Sequence, residues 1–158
     1  MMIRVTSTAA YIAAAAIAAV LLPVVGRADE QSPQEMRSVW SGVYTKEQAD
    51  RGRATYLGKC AKCHAESLAG NPPAPALKGT GFTARWNGQS VRDIQSLIRS
   101  TMPLDLPGSL TREETFDIVS YFFQANGFPA GEKELSGLPA ELKQIRITLQ
   151  KDSSEGSS

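Results

Sequence analysis

Two cysteines and one histidine are all that this chain of 158 residues contains, and the three fall within five positions, Cys60-Ala61-Lys62-Cys63-His64. On a helix, Cys60 and His64 stand at i and i+4 on one face, with Cys63 at i+3 beside them. That spacing aims two thiols and an imidazole at one object. A zinc site needs four donors, and with no other Cys or His in the chain carboxylates would have to complete it. A redox-active dithiol needs a βαβ context, which the flanking sequence does not provide. Cys-x-x-Cys-His is instead the signature of c-type haem attachment, in which the thiols add to two vinyl groups and the imidazole becomes the proximal iron ligand.

Attachment of this kind takes place outside the cytoplasm, so the motif calls for an export signal. Arg4 supplies a positive start, Ala9 to Val25 is an unbroken apolar stretch, and Gly26-Arg27-Ala28 resembles a small-x-small cleavage site. Residues 1–28 are therefore expected to be a signal peptide and the mature protein periplasmic. If retained, a 17-residue stretch is at the lower edge of what spans a bilayer, and only then would the chain touch a membrane. Its alanine richness and Pro23 favour removal.

Cleavage leaves 15 basic against 16 acidic residues, a net charge of −1. No basic stripe with interleaved aromatics is present, so nucleic acid is not expected as a partner. Arg51, Arg53, Lys59, Lys62 and Lys78 lie near the motif, and are either a docking ring for an acidic partner or simply a solvated face. The mature chain fits one domain, and without a second attachment motif it takes one haem c.

Three segments have helical periodicity with start signals, and none shows sustained strand alternation. Thr45 caps a helix through about Lys59, with Gln48 completing a capping box and Ala49, Gly52 and Tyr56 on its apolar face. Ser90 caps a second, whose stripe is Val91, Ile94, Leu97 and Ile98 and which must end by Thr101-Met102-Pro103. Thr111 and Glu114 open a third, rich in aromatics, that runs to Ala125 before Asn126-Gly127. Gly70 to Pro75 makes an extended, turn-rich excursion. Phe128 to Pro139 reads as a surface extension, Glu141 to Gln150 as a short amphipathic piece, and residues 153–158 as disordered.

Iron held by His64 has a second axial position. With no other histidine, a thioether or an outside ligand must fill it, and Met36 and Met102 are the methionines left after cleavage. Met102 follows a core-facing helix and precedes Pro103, whose fixed φ helps to shape a ligand loop, whereas Met36 lies in a polar stretch. The alternative role for Met102 is packing at a helix end.

The pattern over residues 45–127 resembles a class I c-type cytochrome. The resemblance implies an all-α fold of three main helices around one covalently attached haem, flanked here by residues 29–44 and 128–158. Gly52 and Tyr56 hold the places of the family's Gly-x-x-x-aromatic, which implies a close crossing with Ile118-Val119-Ser120-Tyr121-Phe122. It also implies that a proline carbonyl accepts the imidazole N–H, best matched by Pro75 with Pro72 and Pro73 as alternatives, that Leu77 packs on the haem, and that Trp86 approaches a propionate or serves as a core aromatic. Val39 to Tyr44 and Ala125 to Pro129 resemble cytochromes found with periplasmic quinoprotein dehydrogenases.

With both axial positions filled, the expected role is electron transfer rather than catalysis. Redox partner proteins are implied, with a quinoprotein dehydrogenase as donor and a terminal oxidase or another cytochrome as acceptor. One rival is a fixed cytochrome subunit of a dehydrogenase or oxidase complex. The other is a haem sensor or peroxidase with an open distal site, which would normally need an acid-base group that this chain does not supply as a second histidine.

Overall fold

The computed structural model describes residues 36–149, which fall within one unit. The expected signal peptide and the final serine-rich residues lie outside them. The main elements begin with α1 (Lys46–Lys59), where Thr45 holds an extended conformation and its Oγ1 accepts from Gln48 N at 3.2 Å. Single-turn α2 (Ala61–His64) follows, then α3 (Thr80–Trp86), α4 (Val91–Thr101), α5 (Arg112–Ala125) and α6 (Pro139–Lys143). Two-residue strands β1 (Arg37–Ser38) and β2 (Ile145–Arg146) pair in parallel, Arg37 with Ile145 and Ser38 with Arg146.

Local signals set the three long helices. Ser90 and Asp93 form a reciprocal cap at α4, as Thr111 and Glu114 do at α5, satisfying backbone donors that a helix start leaves unpaired. α4 stops where Met102 turns to ψ 151 ahead of Pro103. Val91, Ile94 and Ile98 are buried and Leu97 is partly so.

The expected capping box at α1 is only half formed. Gln48 turns inward, where Nε2 donates to Leu135 O at 2.9 Å and Oε1 accepts from Leu135 N at 2.6 Å. Two buried backbone groups of the 131–138 segment need partners, and they outweigh an exposed helix end.

α1 and α5 cross at Gly52, where a Cβ would collide with the Asp117 carbonyl. The absence of a side chain lets the backbones touch. Beside the crossing, the Tyr56 ring packs 5.4 Å from Tyr121 and edge-on to Phe122 at 5.9 Å.

The carboxy-terminal stretch departs from the expected surface extension. Phe128, Leu135, Leu142, Ile145 and Ile147 are all buried, Ile147 completely. They pack with Val39, Val43, Tyr44 and Phe82 into the same core, and the Phe128 ring meets Trp40 at 5.0 Å and Phe123 at 5.7 Å. Hydrogen bonds seal the join: Tyr44 OH donates to Phe128 O at 2.6 Å, Trp40 Nε1 to Thr148 O at 2.9 Å, and Ile147 N to Gln89 O at 2.9 Å. The residues on either side of the helical kernel thus cover it together. Among the described residues, no helix is long and apolar enough to cross a membrane.

Candidate haem site

α1 hands the chain directly to the attachment turn. Cys60 N donates to Tyr56 O at 2.8 Å, and His64 N to Cys60 O at 3.0 Å, so Cys60 joins α1 to α2 and, as the cap of α2, shares one turn with Cys63 and His64. Ala65, at φ 62, ends it, and Tyr56 OH donates to the Ala65 carbonyl at 2.6 Å. The following loop folds back through Gly70 N to His64 O at 3.0 Å and Leu77 N to Leu68 O at 2.8 Å. Gly70 has φ 79, and a Cβ there would come within 2.6 Å of Ala76 N, so this fold-back requires glycine.

The loop brings Pro75 to the histidine. His64 is 9% exposed, and its Nδ1 lies 2.9 Å from Pro75 O. A carbonyl can only accept, so Nδ1 carries the proton and Nε2 is left as the lone-pair nitrogen, with no partner among the described residues. Pro72 and Pro73 instead lie in the exposed turn bridged by Asn71 and Ala74.

Cys60 is partly buried and Cys63 exposed, and the two are unbridged. Burial pushes the Cys60 thiol up to about 11, the opposite of the lowered value that marks a reactive dithiol. No group of three or more His, Cys, Asp or Glu assembles among the described residues, so the pair has no protein donors to make a zinc site.

Leu77 and Met102 are partly buried against the core, whereas Met36 is 67% exposed. Trp86 is buried, Arg85 stacks its guanidinium 5.2 Å from the ring, and the indole N–H has no acceptor among the described residues. The loop after Met102 is tied to the attachment turn by an ion pair between Asp105 and Lys62.

That pair also bears on the proposed ring of basic residues. Arg51 binds Asp117 and Glu134, Lys59 binds Glu114, and Lys62 binds Asp105, so these three cations are balanced within the chain. Sequence proximity had hidden their acidic partners, which come from α5 and the loops.

Residues 47–122 match the family described as cytochrome C oxidase, cbb3-type, subunit III. These residues form a class I c-type cytochrome domain. The crystal structure of the sulfane dehydrogenase SoxCD from Paracoccus pantotrophus is similar at 17% identity, covering 78% of this chain and 68% of that one, with a TM-score of 0.45. No curated protein sequence matches.

Such a domain implies haem c, and the residues of this cytochrome fit it. Two free thiols precede a histidine whose Nδ1 is engaged, and among the described residues its Nε2, the Met102 thioether and the Trp86 indole N–H have no partner. Each donor type is one that haem uses.

Sequence reasoning missed Asn126 and the Tyr56 hydroxyl. Asn126 Nδ2 donates to Leu77 O at 3.1 Å and Phe122 O at 2.8 Å, while Oδ1 accepts from Gly79 N at 3.0 Å. Asn126 was visible only as a helix stop.

Proposed function

We propose that this cytochrome is an exported, periplasmic electron-transfer protein with one haem c joined through Cys60 and Cys63 and held axially by His64 and Met102. The observation that carries the reading is the His64 ring: Nδ1 is committed to Pro75 O, so the ring presents Nε2 in the right tautomer from a turn that also carries both thiols. When bound, haem supplies one-electron chemistry, its iron alternating between Fe(II) and Fe(III).

The chain's own residues orient and insulate. Pro75 fixes the imidazole, Met102 offers a soft thioether, Leu77 offers apolar cover, and the Trp86 N–H is available to a propionate. With His64 and Met102 both holding the iron, no coordination site would be left for a substrate, which favours a carrier over a sensor or peroxidase. Residues 1–28 support export.

The partners are other redox proteins, met through small and short-lived contacts. A family model named for an oxidase subunit also favours a second reading, in which the domain is a fixed cytochrome subunit of a larger oxidoreductase. Co-purification with a large subunit would select that reading, and a monomer by sedimentation would select the free carrier.

The decisive experiment pairs mass analysis with absorption spectra of exported wild type and Met102→Ala. One added haem per chain, and a weak far-red sulfur-to-iron band that the variant loses, are the expected results. Bare thiols would overturn the attachment, and an unchanged spectrum would overturn the role of Met102.

A further inference from the structure

We propose that Asn126 is a positioning residue for the proximal imidazole, fastening the loop that carries the Pro75 carbonyl to the end of α5. The proposal rests on the haem reading above and assigns that site a remote support.

One amide joins two distant segments, with two of its three hydrogen bonds on the loop and one on α5. Asn126 Nδ2 donates to Leu77 O and Phe122 O, and Oδ1 accepts from Gly79 N, across 49 and 47 residues of chain. Phe122 anchors the amide to α5, and its ring is held by Tyr56 of α1. Leu77 and Gly79 lie two and four residues beyond Pro75, so the clip acts close to the carbonyl that His64 needs.

The other end of the loop has its own clasp, Tyr56 OH on the Ala65 carbonyl, with Leu77 N to Leu68 O closing the middle. A side chain from α1 therefore secures the start of the loop, and one from α5 secures its end. The two helices cross at Gly52, so the same crossing that builds the core also sets the span of the loop over which Pro75 reaches His64.

Asparagine is the residue this job requires. Aspartate has no donor for two carbonyls, alanine has neither donor nor acceptor, and glutamine is one methylene too long for the same geometry. Without the clip, Leu77 O and Gly79 N turn to water and the segment beyond Pro75 is released. A weaker Nδ1–H to Pro75 bond makes the imidazole a poorer donor, which favours the reduced state of a metal it holds. The midpoint potential should therefore rise.

The test uses exported holoprotein of wild type, Asn126→Ala, Asn126→Ser and a control, Gln48→Ala, which removes two buried hydrogen bonds far along the sequence from the loop. Midpoint potential is measured by spectroelectrochemistry, and amide exchange is followed over residues 65–79. Both Asn126 variants should raise the potential and speed exchange at Gly79 severalfold, while Gln48→Ala loses stability without either change. Potentials equal to wild type in both variants, or a shift matched by Gln48→Ala, would overturn the positioning role. Asn126→Ser retains a polar side chain and carries the test should Asn126→Ala fail to mature. A wild type without a haem spectrum would sink the underlying reading, whereas a normal spectrum with unmoved potentials sinks this inference alone.

Discussion

Gln48→Ala tests how the carboxy-terminal segment is held. Gln48 and Leu135 are each 2% exposed, and the amide makes two hydrogen bonds to the Leu135 backbone, at 2.9 and 2.6 Å. Truncation strands a buried N–H and a buried C=O, each worth about 1–3 kcal/mol when unsatisfied. An open groove of about 660 Å³, lined by Gln48, Thr111, Phe116 and Leu135 among others, lies alongside and would admit water to part of that pair. The lower half of the range then applies, about 2–4 kcal/mol in all. For a domain of this size each kcal/mol lowers Tm by roughly 3–5 °C, so a drop of about 6–20 °C is expected. Far-UV circular dichroism in thermal and urea unfolding, at one oxidation state, reads the loss directly. A variant within about 0.5 kcal/mol of wild type would show that the 131–138 segment is not secured through this side chain.

Further expectations follow from other elements. Gly52→Ala gains about 1 kcal/mol of helix propensity but forces a methyl against the Asp117 carbonyl, for a net loss of about 1–3 kcal/mol measured by urea unfolding; equal or greater stability would refute the close crossing. Hydrogen bonds from Ser90 hold the Asp93 carboxyl below its ordinary value, so its contribution is present above the usual carboxylate range and fades as pH falls through the lowered one. Ser90→Ala should flatten that acid-side slope in unfolding free energy, and an unaltered slope would count against the cap. Burial pushes Tyr44 from 10.0 up to about 12, so folding stability should decline as pH rises across that interval. Tyr44→Phe should reduce the decline and, by stranding the Phe128 carbonyl, cost about 1–2 kcal/mol at neutral pH, as denaturant titration would show.

What could be read in advance was local. The long helices declare themselves through caps and apolar spacing within a few residues, as at Thr111, Glu114 and the aromatic run that follows. Gln48 misled because a capping box is a local option that a buried backbone pair overrides. Helix α3 left only Phe82 and Trp86 at i and i+4 as a trace. The carboxy-terminal core residues were illegible because single apolar positions, Phe128, Leu135 and Leu142, stand apart among glycine, proline and charge without a period. The attachment motif was plain for the converse reason, since five adjacent residues hold its chemistry. Asn126 was not, because nothing near it in the chain says which carbonyl, 49 residues away, its amide will find.

The pairing of β1 with β2 bears on the order in which this domain can be made. Trp40 waits 108 residues for Thr148, and Arg37 waits just as long for Ile145. A chain delivered amino end first can wind its helices early, since the hydrogen bonds within each are short-range, but it cannot close β1 onto β2 until Ile145 and Arg146 have arrived. The final stitch is thus also the slowest to meet, and a chain halted before Ile145 lacks both the β1–β2 pairing and the Trp40 to Thr148 bond, a half-sealed body exposed to proteases.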